Sequence, residues 1–220
     1  MNIWYYLLII FLALIPVSVA LALYFSFYKR RKEMEMFASS AGLPFEPEAD
    51  RLPPLEGEGL PLFEQGRSRK YSNLVTFFGA GAERIYFFDY SYVTGTGGSR
   101  RTHRFTPACF EFLAPVFPRF ELRPETFLDK MGEQPGFVDI AVEGAPEFSR
   151  RYRLSGADKE AVLAFFGPQA LRFLEEHPGW RVQAAGPRIA LFGKECLIPT
   201  GVYRDYMEEC KDLVAAMTGK

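Results

Sequence analysis

From Ile3 to Tyr28 the chain has no Asp, Glu, Lys, Arg or His. That gap excludes a solvated surface helix, which needs polar residues along at least one face. Histidine is scarce throughout, limited to His103 and His177. Cysteine is limited to Cys109, Cys196 and Cys210, far apart and without a CxxC. Such spacings exclude the recognisable zinc-ligand patterns and a disulfide framework. There is no GxSxG nucleophile elbow and no Lys-Ser/Thr pair closing a glycine-rich phosphate loop. Net charge is lacking too, since 26 Lys and Arg stand against 27 Asp and Glu. A nucleic-acid binder normally shows a basic excess, so no nucleic acid, metal or cofactor is expected.

What is present begins with the uncharged run itself. Its 26 residues make a helix of about 39 Å, against a hydrocarbon core of about 30 Å. Trp4, Tyr5 and Tyr6 stand at one end and Tyr24, Phe25, Phe27 and Tyr28 at the other, as amphipathic rings do at headgroup level. Pro16 predicts a mild kink at mid-span. A cleavable signal peptide is the rival reading, given Ala20-Leu21-Ala22. Against it, no basic residue precedes the run, and the run continues to Tyr28.

Lys29-Arg30-Arg31-Lys32 abuts the C-terminal end of this segment. Basic residues stay on the cytoplasmic side, which predicts an N-terminus outside and the remaining chain inside, at the inner membrane of a bacterium. The cysteine pattern agrees with a reduced compartment. The expected partners are the bilayer, through residues 3–28, and a second membrane or cytoplasmic protein. The basic cluster serves either as a topology signal or also as an anionic-lipid contact.

The expected fold class is α+β, an N-terminal transmembrane helix followed by a globular domain of antiparallel sheet and packed helices. The expected divisions are an anchor over 1–28, a juxtamembrane basic segment and helix over 29–43, a Pro/Gly-rich strap over 44–66, and a cytoplasmic domain over 67–220. Met34, Phe37 and Ala41 share one helical face, and residues 44–66 read as a loop or strap over the surface, not a helix. Asn73–Phe78, Arg84–Thr94 and Arg101–Phe112 read as an antiparallel meander, with Tyr92 near Thr102 and Tyr90 near Arg104. The middle strand has Tyr86, Phe88, Tyr90 and Tyr92 on one face and Ile85, Phe87 and Val93 on the other, so it is expected to be covered on both. Leu122–Met131 predicts a short helix, Phe137–Val142 and Arg151–Leu154 strands, and Ser155 with Asp158 the start of a helix through Phe166. A helix from Pro168, a hairpin about Gly186-Pro187 and an amphipathic helix after Thr200 complete the pattern.

The candidate ligand site is the glycine-rich turn, where Gly95, Gly97 and Gly98 precede Arg100, Arg101, His103 and Arg104. Backbone N–H groups and guanidinium groups together can cradle an anion such as a lipid headgroup or nucleotide. The competing reading is a hairpin tip with solvated arginines. His103 is the one candidate general base, with Asp89 as its expected orienting partner and a structural histidine as the alternative. His177, before Pro178, reads as a helix-end residue.

The blocks FFDYSYVTGTGGSRRTHRFT, Phe87 to Thr106, and PEFSRRYRLSGAD, Pro146 to Asp158, follow a span, a basic cluster and a short helix. In this the chain resembles a family of uncharacterised bacterial single-pass membrane proteins. The resemblance implies placement at a membrane and no catalytic residues. The leading expectation is therefore a membrane-tethered binding or scaffolding module, with anionic-ligand recognition at the hairpin or an enzyme using His103 as alternatives.

Overall fold

The computed structural model describes residues 3–219 except 51, 54, 80, 81, 115, 126–135, 194 and 195, and the side chains of residues 3 and 5–8. Helix α1, Ile3–Ser40, is continuous over 38 residues, about 57 Å at the standard rise. It joins the uncharged run to the expected juxtamembrane helix without a break at the basic cluster, and Pro16 lies inside it. Among the described residues this is the one helix long and apolar enough to cross a membrane, and none of its apolar window is buried.

The rest is α+β. The sheet is antiparallel throughout, built from β1 (Phe45–Glu46), β2 (Arg67–Gly79), β3 (Ala82–Thr94), β4 (Arg101–Phe105), β5 (Ala108–Glu111), β6 (Phe117–Pro124), β7 (Val138–Asp139), β8 (Tyr152–Gly156), β9 (Arg181–Gly186) and β10 (Arg188–Phe192). The strand order is β1-β2-β3-β5-β10-β9-β6-β8-β7, with β4 beside β3. The short helices are α2 (Pro61–Glu64), α3 (Pro146–Arg151), α4 (Lys159–Phe165) and α5 (Pro168–Glu176), and the chain closes on α6 (Tyr203–Thr218).

Two cores form because β3 has apolar side chains on both faces. Ile85 and Phe87 join Met34 and Ala38 of α1 and the buried stripe Tyr203, Tyr206, Met207, Cys210, Leu213, Val214 and Met217 of α6. Tyr86, Phe88, Tyr90 and Tyr92 join Leu55, Leu60, Leu62 and Phe63. The strap lies over this face as a cover, because its leucines and Phe63 have a row of tyrosines to pack on, and against expectation its Pro61–Glu64 segment is helical. It is fastened by Gln183, fully buried, whose Oε1 accepts the Leu62 N–H at 2.8 Å while its amide donates to Glu121 at 2.9 Å.

Three local expectations give way. Leu122 to Pro124 belong to β6, where Leu122 pairs with Val182 and Leu154, and the remainder of the expected helix lies largely outside the described residues. A buried pairing partner on each side outweighs the helix-start value of Pro124. The start of α4 is capped by Asp158 alone, accepting from the Ala161 N–H at 3.1 Å, while Ser155 stays in β8. On α1 it is Ala38 that is buried, with Ala41 exposed past the helix end.

Candidate functional site at the junction of span and domain

Arg30, Met34 and Ala38 are spaced four apart, so they lie along one face of α1, and that face rests on the sheet. Arg30 thus turns away from the other cations of its cluster and into the domain. Its Nε and one terminal nitrogen reach the two carboxylate oxygens of Asp89, each at 2.6 Å. The other terminal nitrogen donates to the Ile198 carbonyl at 2.8 Å, and the guanidinium lies 5.6 Å from the Tyr203 ring centre. The side chains are only 13% and 8% exposed. A planar fork on a carboxylate is the geometry that gives an ion pair both strength and direction.

The sheet is shaped to receive this pair. Asp89 is flanked in sequence by Phe88 and Tyr90 of the opposite face, so strand alternation aims it at α1. A bulge between Ser72 and Val75 places Asn73 at φ 54°, and its amide donates to Asp89 at 2.9 Å. Thr106 donates its hydroxyl to Asp89 at 3.2 Å and accepts from Arg30 at 3.2 Å and from the Ile198 N–H at 3.0 Å. The Tyr206 hydroxyl then donates to the Thr106 carbonyl at 3.1 Å. Burial works against the charge on Arg30, but the hydrogen bonds and attraction of Asp89 prevail and raise its pKa above the usual arginine value. Burial, then the charge of Asp89, pushes the Tyr203 phenol up. Charged, hydroxyl and amide groups from α1, β2, β3, α6 and the loops at Thr106 and Ile198 form one network.

The remaining cations of the cluster are exposed and paired differently. Lys29 lies 3.7 Å from Glu33, Arg31 3.7 Å from Glu48, and Lys32 2.8 Å from Glu35. Glu33 also accepts from the Thr200 hydroxyl at 2.6 Å, a second tie between α1 and the loop before α6. Of the expected interfacial aromatics, Trp4 and Tyr28 are exposed, with Tyr28 stacked on Tyr24; the side chains of Tyr5 and Tyr6 lie outside the described set.

In the β3–β4 hairpin Tyr92 pairs with His103 and Tyr90 with Phe105, one residue away from the expected register. The cause is the 3₁₀ turn Gly97–Ser99, which moves the centre of the hairpin to between Gly97 and Gly98. A slip of one exchanges the faces. His103 consequently joins the tyrosine face, stacked on Tyr92 at 4.7 Å with Nε2 2.7 Å from the Thr94 hydroxyl. Asp89, expected to orient it, belongs to Arg30 instead. Within the turn the N–H groups of Thr96, Ser99 and Arg100 are taken by Ser99 Oγ, Thr96 O and Gly97 O. Gly95, at φ 67°, is required because a Cβ there would lie 2.2 Å from the Ser99 carbonyl oxygen. Gly95 therefore shapes the turn, and Arg100, Arg101 and Arg104 stand exposed beside it. His177 ends α5, its ring stacked on Phe173.

Among the described residues, three of the cavities that open on the domain bear on the candidate sites. One of about 280 Å³ lies under the strap between Ala49, Leu55 and Tyr71, and one of about 400 Å³ lies between Asp139, Phe148 and Arg153. The third, about 60 Å³, lies beside the ion pair and is lined by Phe27, Asn73, Asp89 and Arg104. His103 lines none of these three. Among the described residues no group of three or more His, Cys, Asp and Glu could hold a metal.

The network was missed by sequence reasoning, though two signals were available. One is the single acid in FFDYSY, on a strand covered on both faces, which demands a partner. The other is the four-residue spacing of Arg30 with Met34.

No protein-family model and no curated protein sequence matches the chain. A solved structure shares its fold: the mycobacterial trehalose monomycolate transport factor A, TtfA, aligns over 85% of this chain and 95% of its own, with a TM-score of 0.56 at 11% identity.

Proposed function

We propose that the chain is a membrane-tethered binding or scaffolding module, held by α1 with its N-terminus outside and its domain at the cytoplasmic face of a bacterial inner membrane. The observation that carries this reading is the junction: a helix of bilayer length passes unbroken into the domain and is fixed there by Arg30 and Asp89. A simple tether needs no such fixation, since a polar linker of a few residues anchors as well. Holding the domain at a set angle matters when it must present a surface to another component of the membrane. That TtfA is by name a transport factor supports an accessory role of this kind. The charge distribution supports the orientation, as Lys29 to Lys32 directly follow the apolar run.

The test is site-specific photo-crosslinking of the full chain in its own cells. Probes would sit at Leu52 beside the strap cavity and at Ala141 beside the larger one. A discrete adduct from either position, missing with a control of α1 alone, is the expected result. Adducts identical to those of the control would remove the proposal. A second reading, recognition of an anionic ligand at the hairpin, is supported by the exposure of Arg100, Arg101 and Arg104 along one edge of the sheet.

A further inference from the structure

At one end of the sheet, the strands β2, β3 and β4 are rich in positive charge. Residues 65–73 and 90–107, which cover the start of β2, the end of β3, the turn and β4, include Arg67, Arg69, Lys70, Arg100, Arg101 and Arg104 and no Asp or Glu. In a chain whose formal charge is −1, that is a strong local separation. Arg69 is answered by Glu56 at 2.8 Å, while Arg67, Lys70, Arg100, Arg101 and Arg104 are exposed.

The position of this end is set by the junction. Phe37 packs on Phe77, which pairs with Ile85; Arg30 binds Asp89; and Arg104, which pairs with Ser91, lies with its guanidinium 6.0 Å from the Phe27 ring centre. Descending α1 from residue 37 to 30 to 27 thus corresponds to advancing along β3 from 85 to 89 to 91. Phe27 belongs to the uncharged segment. Beyond Ser91, β3 continues to Thr94, about 10 Å further in the same direction at the usual strand rise, before the exposed turn. The basic end of the sheet is consequently its membrane-proximal end.

We infer that this basic rim binds the phosphates of anionic lipids, seating the domain against the bilayer beside its own span. The inference rests on the proposed tethering and names the ligand class of the hairpin. Arginine suits the role because its fork can share two phosphate oxygens, and near an anionic leaflet several cations act together. The small cavity between Phe27 and Arg104 lies at the same level, where a headgroup can enter beside the helix. Asp89 does not oppose this, since its charge is already answered by Arg30, Asn73 and Thr106.

The test is hydrogen–deuterium exchange of the full chain in nanodiscs of phosphatidylcholine alone or with one-third phosphatidylglycerol. The expected result is at least tenfold slower exchange over residues 95–104 in the anionic discs. That protection should be reversed by 0.5 M salt and by the triple variant Arg100→Gln, Arg101→Gln, Arg104→Gln. Exchange in α6 should be unchanged, which reports an intact fold. A triple-variant fold defect would be recognised in α6, and the single variant Arg100→Gln at the exposed turn would then carry the comparison, with a threefold loss of protection expected. Equal exchange in both lipids overturns the inference, as does equal protection by 10 mM inorganic phosphate in phosphatidylcholine discs, which would assign the site to a free anion. No partner protein is present, so the outcome is independent of whether a scaffolded partner is found.

Discussion

The two halves of α1 are one helix written for two solvents. Over Ile9–Tyr28 the side chains are apolar on every face and exposed on every face, the pattern of a helix that meets lipid all round. Over Arg30–Ser40 a narrow stripe of Arg30, Met34, Phe37 and Ala38 packs against the sheet, while Arg31, Lys32, Glu35, Met36, Ser39 and Ser40 are exposed. The first half needs no partner to be stable in a bilayer. The second is stable because of what it touches. The join falls within the basic cluster, and of its four cations Arg30 alone is largely withdrawn from solvent.

That comparison breaks most visibly at Arg30. Arg30→Gln leaves Asp89 buried with part of its charge unanswered, and should lower domain stability by about 3–5 kcal/mol. Replacing both partners, Arg30→Met with Asp89→Leu, should recover most of that loss, because the desolvation cost disappears together with the pair. Denaturant unfolding of the full chain in nanodiscs, followed by near-ultraviolet circular dichroism, measures both. A double variant weaker than Arg30→Gln would show that the network stabilises as a unit and not through relief of one stranded charge.

The next contrast is apolar. Met34→Ala removes a fully buried side chain and should cost about 2–4 kcal/mol, whereas Leu21→Ala in the lipid-facing half should leave the domain's unfolding midpoint in place. Comparable losses from the two would mean that α1 is not divided as described.

A smaller and pH-dependent effect separates the junction from the sheet's own interior. Burial pushes the Cys109 thiol from its ordinary value of 9.0 up to about 12. The folded pKa is the higher one, so the stabilisation is complete below about pH 9 and is lost as pH rises towards 12, by at most about 1.4 kcal/mol per unit. Cys109→Ala should make the alkaline decline shallower, the equally buried Cys210 keeping its own share, while Arg30→Gln should lower the curve without changing its slope there, since Arg30 stays charged throughout. Urea midpoints from pH 8 to 11 test this. The smallest effect is expected at Lys32 and Glu35, whose exposed pair should leave the midpoint where it was when either is changed to Ala.

Much of this was legible in the residues, and the reasons differ by region. The uncharged run, the aromatic strands and the stripe of α6 each repeat a pattern over many positions, so a single misjudged residue does not alter the reading. The two-faced burial of β3 was legible because its tyrosines and its phenylalanine and isoleucine alternate. The hairpin register was not, since three glycines permit several turns and a shift of half a residue at the centre moves every pair. The burial of the strap's leucines was not legible, because leucines among prolines and glycines reveal burial only once their tyrosine partners are in place. Arg30 was concealed by its neighbours: within Lys-Arg-Arg-Lys, charge alone does not distinguish the cation that turns inward. The fold shared with TtfA at 11% identity shows how loosely such a scaffold constrains its sequence.

The central claim is that span and domain move as one body through Arg30 and Asp89. Double electron–electron resonance in nanodiscs tests it directly, with spin labels at Tyr24→Cys in α1 and Arg172→Cys on α5, the exposed Cys196 changed to Ser, and the buried Cys109 and Cys210 left in place. Rigid coupling through Arg30 and Asp89 gives a single narrow distance distribution that broadens to several times its width on Arg30→Gln. A broad distribution in the parent protein, or a narrow one indifferent to Arg30→Gln, would contradict it.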